Sequence, residues 1–188
     1  MMKRILKQAG LGALVLALAA VGVYLGMTFR EMRAAQDRDF LYSQGPSSKL
    51  LVGSTFPNLE LVSTAPGAIP TSRLYSGNGS IFMFLEPGCP PCESMTKKWQ
   101  GLIDEGKIPR ERVVGISFGE PENLEAYAKH NGLTFPIYSD TAAVFMRDFG
   151  VADFPLLVVV GKSGTIRMFT YDHRVNFDAA AIQEQLSN

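Results

Sequence analysis

The chain has 188 residues, of which 46% are hydrophobic, and its 18 Lys and Arg residues equal its 18 Asp and Glu residues. This composition excludes an intrinsically disordered chain, and the zero net charge argues against a nucleic-acid-binding protein. Residues 1–43 carry six basic and three acidic side chains, net +3, whereas residues 44–188 carry twelve and fifteen, net −3. The length fits one domain with an appendage.

An uncharged stretch of 22 residues, 8–29, follows three basic residues near the N-terminus. As a helix it would measure about 33 Å, enough to cross a hydrocarbon core of about 30 Å. A signal peptide cleaved at the small residues of 17–19 is one interpretation, and an uncleaved transmembrane anchor is the other. The apolar run continues to Leu25, which is long for a signal-peptide core, so the sequence favours the anchor.

The short basic tail before the anchor resembles the start of an export signal, which favours a cytoplasmic N-terminus. We therefore expect a single-pass protein of the inner (cytoplasmic) membrane with an extracytoplasmic, periplasmic domain. The predicted organisation is a signal-anchor at 1–29, a linker or stalk at 30–49, and a folded domain at 50–188. A helical stalk and a solvated charged linker fit residues 31–43 equally well.

The domain begins with residues 50–61, which predict an entry loop and an edge strand around Pro57. Turns are expected before residue 80, and the apolar run 80–85 then predicts a buried strand. The later patterns alternate strand and helix. They predict a helix that starts at Cys89, a strand at 112–118, a helix at 121–130, a strand at 135–138, a helix at 141–149, a hairpin of 156–160 and 165–170, and a closing helix at 176–186. From the strand at 80–85 onward the order is βαβαβαββα, which indicates an α/β sandwich.

Cys89 and Cys92, the chain's only cysteines, lie where the buried strand meets a helix start. Unpaired N–H groups and the helix dipole favour a thiolate at Cys89, and the thiolate is the attacking species. Cys92, nearly one turn later, can close a disulfide and resolve a mixed disulfide. Pro90 and Pro91 stiffen the first turn, where a missing N–H costs nothing.

Two other interpretations of the cysteine pair are less favoured. A structural zinc site needs four ligands, and only His130 and His173 remain, neither at zinc-finger spacing. A structural disulfide that closes so short a loop restrains little chain entropy. We expect no metal site and no dissociable cofactor.

Phe154 and Pro155 precede the first strand of the predicted hairpin. A proline that leads a strand can hold a cis peptide bond, which would expose the neighbouring backbone N–H and C=O to an extended substrate segment. A plain trans proline fits the sequence as well. Phe154 and Pro155 are therefore candidate substrate-binding residues.

The Cys89-Pro-Pro-Cys92 (CPPC) motif after an apolar strand, together with Phe154-Pro155 before a hairpin, resembles the thioredoxin superfamily. The unit from 113 to 151 looks like the insertion of its membrane-anchored TlpA/ResA-like, redoxin (AhpC/TSA-type) branch. The resemblance covers roughly 50–188 and implies a three-layer thioredoxin-like sandwich with a central mixed β-sheet. It also implies that Cys89 attacks, Cys92 resolves and Pro155 is the cis proline of the substrate groove.

Several residues depart from the family pattern. Gly88 stands where a tryptophan is usual, and Leu156 replaces a common threonine. Met83 stands where many thioredoxins carry a buried acid that shuttles protons, so Glu86 is a candidate proton shuttle in its place. Met95 stands where many reductive relatives carry another acid. A solvated loop acid fits Glu86 as well.

A second resemblance is to MauD-type proteins, through the run from Phe84 to Pro90. A peroxiredoxin is excluded, because neither cysteine has the required proline seven residues and Ser/Thr three residues before it.

The sequence thus predicts a membrane-anchored thiol–disulfide oxidoreductase that acts on client protein thiols and disulfides. A membrane donor or acceptor of the thiol–disulfide type would be its redox partner. The uncharged Pro-Pro dipeptide slightly favours the reductase direction. The alternatives are a MauD-like disulfide donor for an exported enzyme and a non-enzymatic assembly or binding module.

Overall fold

The computed structural model describes Gly22 and residues 48–63, 67–171 and 178–187. All the strands and helices given below lie in the compact unit Leu41–Asn188. The predicted anchor 8–29 falls outside the described residues apart from Gly22, and so does most of the predicted linker. Among the residues that are described, no helix has both the length and the apolar character needed to cross a membrane.

Seven strands form one mixed sheet. Their bounds are β1 Glu60–Val62, β2 Ala68–Pro70, β3 Ser80–Phe84, β4 Val113–Ser117, β5 Ile137–Ser139, β6 Leu156–Val160 and β7 Ile166–Thr170. The order across the sheet is β2-β1-β5-β4-β3-β6-β7. Strands β3, β4 and β5 run parallel, and the other neighbouring pairs are antiparallel. The carboxyl ends of the three parallel strands therefore share one edge of the sheet.

Five α-helices are described: α1 Thr71–Tyr75, α2 Pro90–Asp104, α3 Pro121–His130, α4 Val144–Phe149 and α5 Ala179–Ser187. Both α2 and α3 begin with a proline in the first turn, where the ring fits the required φ angle. The short helix α4 ends at Gly150, which has a φ of +69°. Glycine takes this left-handed conformation without the penalty that a Cβ atom would bring.

The central strand β3 is buried on both faces, which explains its unbroken apolar run. Its alternate residues belong to two cores: Phe82 and Phe84 to one, Ile81 and Met83 to the other. The first core also contains side chains of α1 and α4, and the second contains side chains of α2, α3 and α5. Helices thus cover both faces of the sheet, as the predicted sandwich requires.

The predicted order βαβαβαββα is confirmed from β3 onward. The region before β3 is where the prediction was wrong. Of the expected segment 50–61, only Glu60 and Leu61 belong to a strand, β1, and that strand is second from the outside of the sheet because β2 pairs with its outer side. Neither β2 nor α1 was expected.

Two elements after α3 are shifted from their predicted bounds. The expected strand 135–138 is observed as Ile137–Ser139. The expected helix 141–149 begins at Val144, because residues 141–143 form a turn in which Ala143 has a φ of +50°. Asp140 fixes this turn: its Oδ2 accepts a hydrogen bond from the backbone N–H of Phe145 over 2.7 Å.

Candidate active site

Strand β3 delivers the cysteine pair to the shared carboxyl edge of the sheet. After β3 the chain turns at Gly88, which has a φ of +80°, and the backbone N–H of Cys89 donates to the carbonyl of Glu86 over 3.2 Å. Cys89 is the N-cap residue of α2, with extended backbone angles of −93° and 107°. The sequence predicted this placement at the helix start, and the structure confirms it.

Cys89 and Cys92 are joined by a disulfide, with their Cα atoms 5.2 Å apart. The backbone N–H of Cys92 donates to the Sγ of Cys89 over 3.3 Å. Cys89 is partly exposed, whereas Cys92 is fully buried, with 0% of its surface exposed. A partner molecule can therefore reach Cys89 but not Cys92.

The first turn of α2 is built from Pro90 and Pro91, as the sequence predicted. The N–H of Glu93 donates to the carbonyl of Cys89 over 3.1 Å, which closes that turn. Prolines at these positions give up no helical hydrogen bond, because the first N–H groups of a helix have no partner in the helix. The two prolines thus fix the separation of the cysteines without adding charge.

Cys92 packs in the second core with Met83 and Met95, and all three are fully buried. The buried sulfur of Cys92 is therefore surrounded by apolar side chains. Glu86, the candidate proton shuttle, lies in the loop after β3 and is exposed.

The peptide bond between Phe154 and Pro155 is cis. Strand β6 runs antiparallel to β3 with Leu156 opposite Phe84, so Pro155 lies beside the end of the strand that leads to the cysteines. Pro155 is buried, and Phe154 is partly buried against both cores. The structure therefore brings the two motifs that the sequence singled out to the same edge of the sheet.

Phe118 is a residue at this edge that the sequence analysis missed. It directly follows β4, and its ring centroid lies 5.6 Å from that of Phe154, with the rings tilted by 60°. The sequence did contain a pattern that points to Phe118. The strand predicted at 112–118 ends at this residue, and the carboxyl ends of adjacent parallel strands meet at one edge of a sheet. Its apolar character made Phe118 look like a further core residue of that strand.

Two tyrosines near the site have a raised pKa. Burial raises the pKa of Tyr127 on α3, the Thr96 hydroxyl partly offsets this, and the Glu93 carboxylate adds to it. Burial also raises the pKa of Tyr171, a hydrogen bond with the Ser48 side chain partly offsets this, and the Asp153 carboxylate adds to it.

A separate cavity of about 290 Å³ lies between α3 and β5, lined by residues that include Pro121, Leu124, Phe135 and Ile137. None of the predicted site residues lines it. Within the part of the chain that is described, no group of three or more His, Cys, Asp or Glu side chains could hold a metal ion.

Comparison with known proteins agrees with this geometry. The model of the AhpC/TSA family matches residues 52–169. The thiol-disulfide oxidoreductase ResA of Geobacillus thermodenitrificans (strain NG80-2) is 30% identical over 117 residues, which cover 62% of this chain and 67% of that protein. The predicted resemblance to the redoxin branch and the prediction of an oxidoreductase are thereby confirmed.

Two solved structures support the fold. A putative protein disulfide isomerase from Bacteroides thetaiotaomicron superposes with a TM-score of 0.61 at 20% identity, covering 76% of this chain and 92% of that one. A C47S mutant of PrxQ from Xylella fastidiosa gives 0.58 at 17% identity, covering 74% and 96%. At these identities the likeness concerns the thioredoxin-like fold alone. The match of the family model over most of the folded domain shows that this chain belongs to the AhpC/TSA family.

Proposed function

We propose that the chain exchanges the Cys89–Cys92 disulfide with disulfides or thiols of partner proteins. The observation that carries this proposal is the asymmetry of the pair: Cys89 is partly exposed at the start of α2, and Cys92 is fully buried beside it. An accessible attacking thiol and a protected resolving thiol are what two-step exchange requires. The similarity to a protein named thiol-disulfide oxidoreductase supports the same activity.

In the reducing direction, the Cys89 thiolate attacks one sulfur of a partner disulfide. A Cys89–partner bond forms, the partner's S–S bond breaks, and the released sulfur takes up a proton. Cys92 then loses its proton and attacks the Sγ of Cys89, which releases the second partner thiol. Two electrons pass to the partner, and the Cys89–Cys92 disulfide remains. The reverse sequence oxidises a partner dithiol.

The start of α2 activates Cys89 for this attack. The N–H of Cys92 points at the Sγ of Cys89, and the positive end of the helix dipole stabilises a negative sulfur there. The charge of Glu93 in the same turn acts against this effect. Pro90 and Pro91 add no positive charge of the kind that would stabilise the thiolate of a strong oxidant, so we favour the reducing direction.

The cis proline and its neighbour are the proposed binding site for the partner. Phe154 and Pro155 lie at the same sheet edge as Cys89, at the start of β6. An extended partner segment would pair with the backbone there as an added strand, which would hold its sulfur against Cys89.

We further propose that residues 8–29 anchor the protein in the inner membrane, that 30–49 form a linker or stalk, and that the domain 50–188 lies on the extracytoplasmic side. The length and lack of charge of 8–29 support the anchor. A membrane protein of the thiol–disulfide type would then supply the electrons.

The anchor and its orientation are tested by extraction of membranes with alkaline carbonate, followed by protease treatment of spheroplasts. The chain should stay in the membrane and its domain should be digested; release by carbonate, or protection from protease, contradicts the proposal.

The redox state of the cysteine pair inside cells tests the activity and its direction. Intact cells are quenched with acid, alkylated with a mass-shifting thiol reagent, and the ratio of the two forms is read on a gel. We expect a mostly reduced pair, since a reductase must be supplied with electrons. A mostly oxidised pair would instead favour a disulfide donor of the MauD-like kind.

A double variant separates exchange from simple binding. Cys89→Ser/Cys92→Ser removes both sulfurs and keeps the polar contacts close to those of the native turn. It should fail to replace the native chain in a deletion strain. Full replacement would overturn the enzymatic proposal and favour an assembly or binding module.

A further inference from the structure

An aromatic platform, formed by Phe118 and Phe154, lies at the same edge of the sheet as the disulfide. The two rings lie 5.6 Å apart, and both side chains are only partly buried. Phe154 and Cys89 pack against the same core, and Phe154 directly precedes Pro155. The platform thus offers apolar surface at the place where a partner segment would lie, and aromatic rings bind apolar side chains well.

The loops around the platform are acidic. Three segments border the platform. They are the loop after β3 with the first turn of α2 (85–96), the loop between β4 and α3 with the first turn of α3 (117–123), and the loop before β6 (150–155). None of these three segments contains Lys or Arg. Four of their acids are exposed and one is partly exposed; the five are Glu86, Glu93, Glu120, Glu122 and Asp153. Such a rim has a negative potential that attracts a cationic partner.

Arg147 and Lys49, on and next to α4, both interact with an acidic side chain. Arg147 on α4 forms an ion pair with Asp148 over 2.8 Å, and Lys49 also acts on the Asp148 carboxylate. The backbone N–H of Lys49 donates to the carbonyl of Phe149, the last residue of α4, so Lys49 lies next to the start of the loop before β6. Both cations have the Asp148 carboxylate as a counter-charge, and the five acids of the rim outnumber them, so the rim remains negative.

From the aromatic platform and its acidic rim we infer the client class: an extended polypeptide segment with a large apolar residue next to its cysteine and with Lys or Arg close by. The inference rests on the proposed exchange activity and adds its specificity. The client's apolar side chain contacts Phe118 and Phe154, its basic residues face the acidic loops, and its disulfide sulfur meets Cys89. The electrons and protons pass as in the exchange given above.

Four synthetic peptides test this inference on the reduced full-length chain. Each contains one internal disulfide, with Leu or Ala next to the first cysteine and Lys or Glu at the flanking positions. The readout is the second-order rate constant for loss of protein thiols, followed by acid quench and alkylation. The Leu/Lys peptide should react about tenfold faster than the Ala/Glu peptide, and added salt should reduce the effect of Lys.

Three variants locate the effect. Glu120→Lys should lower the ratio of the Lys to the Glu peptide rates, and Phe118→Ala should lower the ratio of the Leu to the Ala peptide rates. Glu111→Lys is the matched control, because Glu111 is an exposed acid just before β4, at the opposite edge of the sheet. It should leave both ratios unchanged.

A neutral small disulfide, hydroxyethyl disulfide, separates failure of the inference from failure of the proposed function. Equal rates for all four peptides, with normal reaction of hydroxyethyl disulfide, would overturn the client class and leave the exchange activity intact. No reaction with any of these disulfides would overturn both.

Discussion

The backbone N–H of Cys92 donates a hydrogen bond to the Sγ of Cys89 across the first turn of α2, over 3.3 Å. The donor belongs to the peptide group of the buried cysteine, and the acceptor is the sulfur of the accessible one. The turn is therefore arranged so that its backbone stabilises negative charge on the more exposed of the two sulfurs.

Single cysteine variants should differ in their reactivity because of this arrangement. In Cys92→Ser, Cys89 keeps its place at the helix start and should react with iodoacetamide at least about tenfold faster than Cys92 does in Cys89→Ser, where the thiol is buried. The measurement is the alkylation rate by mass spectrometry at neutral pH.

The same two variants should differ in trapping partners. Cys92→Ser should accumulate mixed disulfides with client proteins on a non-reducing gel, and Cys89→Ser should not. Equal trapping by both would contradict the assignment of attacking and resolving roles.

Glu86→Gln tests the proposed proton shuttle. If the Glu86 carboxylate accepts the proton of Cys92, the variant should slow resolution of a mixed disulfide about tenfold or more. It should leave the alkylation rate of Cys89 close to that of the native chain. The measurement is single-turnover release of a partner thiol as a function of pH, with Glu111→Gln as the control. An unchanged release rate and pH profile would leave Glu86 as a solvated loop acid.

Gly79→Ala should destabilise the fold. A Cβ atom at Gly79 would lie 2.6 Å from the carbonyl oxygen of Leu186 and 2.8 Å from that of Val160, and the φ angle is +69°. Backbone atoms cannot move aside easily, so we expect a loss of about 2–4 kcal/mol in the free energy of unfolding. Gly101→Ala is the control: it lies in α2 with nothing within 4 Å of the added atom, and should stabilise by about 0.5–1 kcal/mol. Urea denaturation of the oxidised protein measures both, and equal effects would contradict the packing described.

Stability at high pH should depend on partly buried tyrosines. Burial raises the pKa of Tyr138 above its ordinary value of 10.0, and the same holds for Tyr127 and Tyr171. Below pH 10 these phenols are protonated in both states. As the pH rises above 10 the unfolded chain loses its protons first, so the free energy of unfolding falls until the folded pKa values are passed.

Urea denaturation of the oxidised protein at pH 9, 10 and 11 measures this fall. Tyr138→Phe should reduce its slope, because one of the phenols that titrate differently in the two states is removed. A slope identical to that of the native chain would contradict a raised pKa for Tyr138.

The long apolar and periodic segments could be predicted well from the sequence. Strand β3 has an unbroken apolar run because both of its faces are covered, and α3 begins at Pro121 and ends beside Asn131, as its pattern indicated. Strand β2 and helix α1 span only three and five residues, too few for a period of 2 or 3.6 to be recognised. The start of α4 depends on the contact of Asp140 with the N–H of Phe145, which no local pattern reveals.

The residues of the candidate site likewise fall into those that the sequence could predict and those that it could not. Cys89, Cys92 and the prolines between them are adjacent in sequence, so their helix-start geometry could be predicted. The isomer of the Phe154–Pro155 bond could not, because both isomers are compatible with the sequence. Phe118 joins the site only through the parallel pairing of β4 with β3, a relationship between distant segments.

The register that sets Phe84 opposite Leu156 has a consequence for how the protein matures. The cysteine turn is local and can form as soon as α2 does. Phe154 and Pro155, in contrast, come to lie at the same edge only when β6, from the last third of the chain, pairs with β3. A nascent chain could thus form the cysteine turn before Phe154 and Pro155 lie beside it. The surface on which the proposed client selectivity depends is therefore complete only when β6 pairs with β3.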